Sequence, residues 1–409
     1  LPTSSPDLPA GRGDPRRQIL LHLFRSALAS VDGRTCVRDA LKAIGNDERP
    51  ARVWAAAVGK AASAMMLGAH DALGASLERG LLITKDGHVA PEALALSQLE
   101  VLESAHPVPD ERSLAAGERL LTWMSELPAD VLPLFLISGG ASSLVEALVP
   151  GATFEQLTQL NKQGLASGLA IGELNAQRAQ LSRIKGGRLA EQLGGRRALA
   201  FFISDVPGHD PAVIGSGIMG PGRSADAVER RIVASIDHAA DTALRQAQAL
   251  GLDAFRDPQT FDGSAERLAV RFSHELHMNV HQVRIWGGES VVTLPENPGR
   301  GGRNQHLALA AARVIAGHEN LALLVGATDG TDGVTEDAGA MVDGDTCSRV
   351  ALAGLDVQEC LQRADSGTAL AASGDLIHTG PTGTNVGDLV IGLKLTTEAA
   401  ARVWSRHRQ

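Results

Sequence analysis

The run Leu134-Phe135-Leu136-Ile137 leads directly into Ser138-Gly139-Gly140-Ala141-Ser142-Ser143. Four apolar residues followed by glycine and serine predict a buried strand ending in a tight turn before a helix. Such a turn leaves backbone N–H groups pointing outward at the carboxyl end of a sheet, where a helix dipole favours negative charge. The hydroxyls of Ser138, Ser142 and Ser143 add neutral donors with little bulk, so the turn suits a phosphate or a carboxylate. The structural alternative is a glycine-rich turn with no ligand.

Other residues extend the same chemistry. Lys60, after Gly59, falls at a predicted strand-to-helix turn, where a lysine can bring a point charge to a transferring phosphoryl group. Lys185-Gly186-Gly187-Arg188 repeats that arrangement. Asp205 follows an apolar strand and precedes Val206-Pro207, a position from which a carboxylate can hold Mg²⁺ or accept a hydroxyl proton. Arg303 and Asn304 lie in Arg300-Gly301-Gly302-Arg303-Asn304-Gln305, a fork and amides suited to a carboxylate or phosphate. Asp329 and Asp332 stand in a glycine-punctuated loop without EF-hand spacing, and Thr384 and Asn385 close another polar loop. The spacing assigns no loop to a particular ligand.

One pattern is excluded by its context. Gly215-Ser216-Gly217-Ile218-Met219-Gly220 satisfies G-x-G-x-x-G, but Asp210-Pro211 precedes it in place of a strand and Pro221-Gly222 follows it in place of a helix. No Walker A sequence surrounds Gly59-Lys60 either.

The elements that must position these residues alternate along the chain. Strands are expected at 53–58, 80–84, 99–102, 134–137 and 198–203, with helices over 18–43, through 66, from the start Pro109-Asp110-Glu111-Arg112 to about 126, and over 153–167 and 174–182. That alternation, with glycine at the turns, predicts a doubly wound Rossmann-like α/β domain with ligands outside the carboxyl ends of its strands. Residues 226–250 read as one long helix. After a Gly/Asp/Pro cluster at 251–262, strands at 283–286, 290–294, 321–325 and 388–395 and a helix at 305–315 predict a second, smaller α/β domain. The expected division is a flexible tail over 1–17, a first domain over 18–255 and a second over 256–409.

With 409 residues, two domains are the natural expectation. A hydrophobic fraction of 44% indicates a globular chain, and 45 glycines against 3% aromatic residues and no tyrosine indicate many tight turns over an Ala/Leu/Val core. A net charge of −9 argues against a nucleic-acid surface without forbidding a basic local site. Three scattered cysteines form neither a disulfide framework nor a zinc pattern, and no apolar run approaches membrane-spanning length. A cytoplasmic protein with a trimmed, mobile amino end is the resulting expectation.

In order, Val58-Gly59-Lys60-Ala61, Thr84-Lys85-Asp86-Gly87-His88, His106-Pro107-Val108-Pro109-Asp110, Ile137-Ser138-Gly139-Gly140-Ala141-Ser142, Ile184–Ala190, Ile203–Gly208, Gly301–Gln305, Thr328–Gly333 and Thr379–Val386 resemble the glycerate 2-kinases. These are also called type II glycerate kinases, carry a MOFRL domain, and include members formerly named hydroxypyruvate reductases. The resemblance implies phosphorylation of D-glycerate by ATP with Mg²⁺ to give 2-phosphoglycerate, in a cleft between a Rossmann-like and a smaller α/β domain. It departs from the family at His209 (usually Asp), Gly215–Met219 (usually Ala-Ser-Gly-Pro-Thr), His306 (usually Glu), Gly387 (usually Asn) and Gln177 (usually Val).

Taken together, Lys60 is expected at the transferring phosphoryl, the Ser138–Ser143 turn at an anion, and Asp205 at Mg²⁺ or the hydroxyl proton. Arg303 is expected at the substrate carboxylate, with Lys185 assisting phosphate binding. Small molecules are the expected partners, with no nucleic acid or membrane, and a homodimer is compatible with the sequence. The alternatives are an NAD(P)H-dependent hydroxypyruvate reductase and a non-catalytic binder of sugar acids or nucleotides.

Overall fold

The computed structural model describes residues 13–44, 51–167, 171–222, 227–278 and 280–408, and the side chains of 161–175 lie outside the description. The chain divides into two compact units. One comprises Val31–Ser235 and Gly383–Val386; the other takes the segment ending at Ser30, Ile236–Thr382 and Gly387–Gln409.

The first unit is built on a six-stranded sheet of β1 (Val53–Val58), β2 (Leu77–Lys85), β3 (Leu99–Ser104), β4 (Leu132–Ile137), β5 (Ala198–Ser204) and β6 (Val228–Ser235). Its order is β3-β2-β1-β4-β5-β6, and each neighbouring pair is parallel. The apolar runs at its centre are what a sheet covered on both faces requires. Ala56, Val58, Leu81, Ile83, Phe135, Ile137 and Phe202 share a core with Leu120 and Trp123 of the helix Glu111–Ser125. The helix Ala62–Leu73 packs on β1 and β2, with Met65 and Met66 buried. The chain runs outward from β1 to β3 and then returns to the other side of β1 with β4. Strand order therefore reverses between β1 and β4, where open α/β sheets open a crevice at their carboxyl edge.

The second unit carries β7 (Ala254–Arg256), β8 (Phe261–Ser264), β9 (Val283–Val291), β10 (Leu321–Ala327), β11 (Gly339–Asp343), β12 (Leu376–Ile377) and β13 (Asp388–Lys394). The order is β12-β11-β10-β13-β9-β7, antiparallel from β12 to β9. Both β7 and β8 run parallel to β9, against its first and last residues respectively. Phe272, Trp286, Leu307, Leu323, Val325 and Val390 lie in its core.

Four expectations need correction. Residues 228–235 form the edge strand β6 and only Ile236–Ala249 is helical; the charges Glu229, Arg230 and Arg231 sit on a partly exposed strand and gave 226–250 a helical cast. Residues 283–294 hold one strand, β9, which continues through Gly287 and Gly288. Third, the helix Pro15–Ser30 begins inside the expected tail and groups with the second unit. Its Phe24 is fully buried, and buried Arg17 pairs with Asp343 and Asp375 of that unit. The earlier part of the expected tail, 1–12, lies outside the described residues. The division at Ser235/Ile236 also falls ahead of the expected 255/256.

Candidate active site

Loops at the carboxyl ends of β1, β4 and β5 converge on the switch point. Lys60 follows β1, half-buried, and its N–H donates to the Gly139 carbonyl at 2.9 Å. Ser138, fully buried, accepts the Ala61 N–H at Oγ, 3.1 Å away. The turns after β1 and β4 are thus tied to each other by two hydrogen bonds, one to backbone and one to side chain. A Cβ on Gly139 would lie 2.0 Å from Asp205 Oδ2 and 2.1 Å from Asn385 Nδ2, so glycine alone leaves room for both. Asn385 Nδ2 donates to that Asp205 oxygen at 3.3 Å. Gly140 has φ +86°, and a Cβ there would meet Lys60 Cγ and His106 Cδ2, each at 3.1 Å. Lys60, Gly139, Gly140, Asp205 and Asn385 are therefore neighbours, with His106 beside them. Thr384 is buried next to Asn385.

The helix after the turn spans only Ala141–Leu144, so the dipole expected to favour an anion is that of a single turn. Ser143 Oγ donates to the Gly140 carbonyl at 3.2 Å, and Ser142 Oγ meets Ser216 Oγ at 2.8 Å. Gly215 and Ser216 both sit in the left-handed region within the short turn Ile214–Gly217, which follows no strand, and the G-x-G-x-x-G match has no dinucleotide-binding geometry.

Lys185 departs from its expected role in phosphate binding. It is 1% exposed, and its ammonium donates to Glu146 Oε2 at 2.6 Å and to the Ser142 carbonyl at 2.7 Å. Burial lowers its pKa while the Glu146 carboxylate pulls the other way. Glu146 is itself fully buried. A cation so enclosed cannot reach a ligand directly.

The remaining candidates belong to the second unit. Arg303 opens the helix Arg303–Val314, its Nε and Nη2 donating to Asp388 at 2.7 and 3.2 Å and its Nη1 paired with the exposed Glu289. Burial works against the charge, but Asp388 and Glu289 outweigh it and raise the guanidinium pKa. Asp332 is 2% exposed and accepts the N–H groups of Asn304 at 3.1 Å and Gln305 at 2.8 Å, capping the same helix; the Asn304 amide adds a contact at 3.3 Å. Burial pushes its carboxyl up to about 7 against the pull of those N–H groups. Asp329 folds back on Thr331, accepting its N–H at 3.0 Å. Arg303 and His306 also line a mostly apolar cavity of about 260 Å³ with Val292, Leu294, Pro298 and Val334.

Sequence reasoning assigned no site role to His106, Glu146, Ser216 or Asp388. Glu146 carried a signal: a lone carboxylate within Leu144-Val145-Glu146-Ala147-Leu148 implies a buried partner. For Asp388 no local pattern pointed to Arg303.

Residues 19–249 match the family described as "Domain of unknown function (DUF4147)", and 282–388 match the MOFRL family. A D-glycerate 2-kinase from Thermotoga maritima is 34% identical over 92% of this chain and 98% of its own. A protein from Agrobacterium vitis, provisionally named a hydroxypyruvate reductase, is 36% identical over 91% of this chain and 93% of its own. The crystal structure of a glycerate kinase from Thermotoga maritima superposes with a TM-score of 0.82 at 33% identity, covering 93% of this chain and 99% of that one. A parallel sheet with its switch point at Lys60 and Ser138, joined to a MOFRL unit and matched along nearly its whole length, places this chain in the glycerate 2-kinase family.

Proposed function

We propose that this protein is an enzyme that transfers the γ-phosphoryl group of ATP to the C2 hydroxyl of D-glycerate. The observation that carries this reading is the convergence of Lys60, the Ser138–Ser143 turn, Asp205 and Asn385 at the switch point. In the reaction the bond from the γ-phosphorus to its bridging oxygen breaks, the bond to the C2 oxygen forms, and the hydroxyl proton leaves to solvent. Such transfer depends mainly on positioning and on neutralising charge. Lys60 supplies a point charge, and the Ser138–Ser143 turn supplies hydroxyl and amide donors. Arg303, in the second unit, carries a guanidinium fork of the kind that grips a carboxylate.

The donors around Asp205 fit magnesium. The residue offers a hard carboxylate oxygen in a cradle that a Cβ at Gly139 would fill. Magnesium is usually bound by one or two carboxylates together with substrate phosphates. Asp205 would hold that ion, with Asn385 orienting the carboxylate. Bound magnesium neutralises charge on the phosphates. Asp205→Asn is expected to lower kcat about 100-fold and to raise the Mg²⁺ concentration for half-maximal rate. An unchanged magnesium requirement would transfer Asp205 to proton acceptance.

ADP release measured across a panel of small hydroxy acids tests the reading. D-Glycerate is expected to be the best acceptor, and NADH oxidation by hydroxypyruvate without ATP is expected to be absent. ADP release from none of the acids would overturn the kinase assignment.

A further inference from the structure

The buried pair of Lys185 and Glu146 lies directly beneath the turn that the kinase reading places at an anion. Both are out of solvent, at 1% and 0% exposure. Desolvating two charges offsets most of their attraction, so a buried pair is a poor source of stability and calls for another reason to be there. The geometry supplies one. The helix Ala141–Leu144 ends before the Ser142 carbonyl can receive an N–H four residues on, because the Glu146 N–H donates to the Ser113 carbonyl instead, at 2.9 Å. The Ser142 carbonyl is one of the unsatisfied groups of a helix end, and Lys185 Nζ caps it at 2.7 Å.

The rest of the network holds that cap in place. Glu146 Oε1 accepts the Ala147 N–H at 3.0 Å and the Ser182 hydroxyl. Ser182 Oγ in turn accepts the N–H groups of Ile184 and Lys185 at 3.2 and 3.1 Å, fixing the backbone from which the lysine projects. A second arm closes the circuit, since the Gly186 N–H donates to the Ser216 carbonyl at 3.0 Å and Ser216 Oγ meets Ser142 Oγ at 2.8 Å. Ser142 is thus gripped at its carbonyl by Lys185 and at its hydroxyl by a residue that Lys185's neighbour holds.

We propose that Lys185 is a positioning residue for phosphoryl transfer, its ammonium fixing the Ser142 carbonyl and through it the orientation of the Ser138–Ser143 turn. The proposal rests on the kinase reading for its effect on rate, while the effect on the turn stands apart from it. An error of about 1 Å in a positioned group can cost about 100-fold in rate.

The test compares the parent chain, Lys185→Met, and Lys185→Met combined with Glu146→Leu. The single variant takes from buried Glu146 the ammonium bonded to it, with Arg178 the nearby cation that remains, and is expected to melt lower. The double variant removes both charges and is expected to melt close to the parent. Its kcat should fall by about 100-fold, with KM for ATP and glycerate each changed by less than about threefold, and the near-parental melting temperature excludes a smaller folded fraction as the cause. Gly139 and Gly140 amide resonances of ¹⁵N-glycine-labelled protein should shift in the double variant even without substrates. A double variant with near-parental kcat, one that fails to fold, or one with unmoved Gly139 and Gly140 resonances would overturn the positioning role. A parent that releases no ADP overturns the kinase reading instead, and the glycine resonances then decide the positioning role alone.

Discussion

Lys60 and Asp332 show how differently two charges can be used. Lys60 is half-buried beside Gly140, at the end of a strand whose core contacts are made by Ala55–Val58. Its replacement should touch function and spare the fold. Lys60→Met is expected to lower kcat by about 100- to 1000-fold, as loss of one preorganised charge does, with stability moved by only about 0.5 kcal/mol. A large fall in melting temperature would mark the lysine as structural. Asp332 is the opposite case, a buried carboxyl pushed up to about 7, against about 3.9 for an unfolded aspartate. Between these values the folded chain keeps a proton that the unfolded chain has released. Stability from this group is therefore full below about pH 4 and declines as pH rises toward 7. Asp332→Asn keeps a hydrogen-bond acceptor and cannot ionise, so the fall in melting temperature between pH 5 and pH 8 should be smaller in the variant. Equal slopes in the two proteins would show that Asp332 ionises normally.

At the scale of elements, the turn after β4 couples fold to site. A Cβ on Gly139 would collide first with the ends of the Asp205 and Asn385 side chains. Gly139→Ala should therefore displace those two groups, reducing kcat by at least about tenfold while the melting temperature falls little. The helix Pro15–Ser30 makes a different prediction. Arg17→Met removes a buried cation from Asp343 and Asp375, with Arg349 left to pair with both. A loss of about 3 kcal/mol is expected, the low end for breaking a buried pair, read as a lower denaturant midpoint. The strand-turn-helix pattern around Ser138 was legible because a wholly apolar run stopped at glycine. The edge strand β6 was not, since its charges face outward and mimic a helix surface. Nor was the allegiance of the first helix, which depends on Arg17 meeting aspartates more than 300 residues away. Shorter separations also hid the partners of Lys185 and Arg303, which lie 39 and 85 residues away: the sequence marks a cation at a glycine turn, but only the fold brings the carboxylate to it.

For the whole molecule, the ordered motifs carried the family and its chemistry further than composition did. The net charge of −9 gives no hint of an anionic ligand, whereas the loops at Lys60, Ser138 and Asp205, far apart in the chain, meet at one sheet edge. The central claim is transfer to the C2 oxygen, next to the carboxylate, and a bidentate grip on that carboxylate orients C2 better than C3, which keeps an additional rotatable bond. Its most direct test is an enolase-coupled assay with D-glycerate, ATP and Mg²⁺, run without phosphoglycerate mutase, because enolase accepts the 2-phosphate alone. The account predicts an enolase signal that rises in step with ADP from the first turnovers. ADP release with no enolase signal until mutase is added would contradict it.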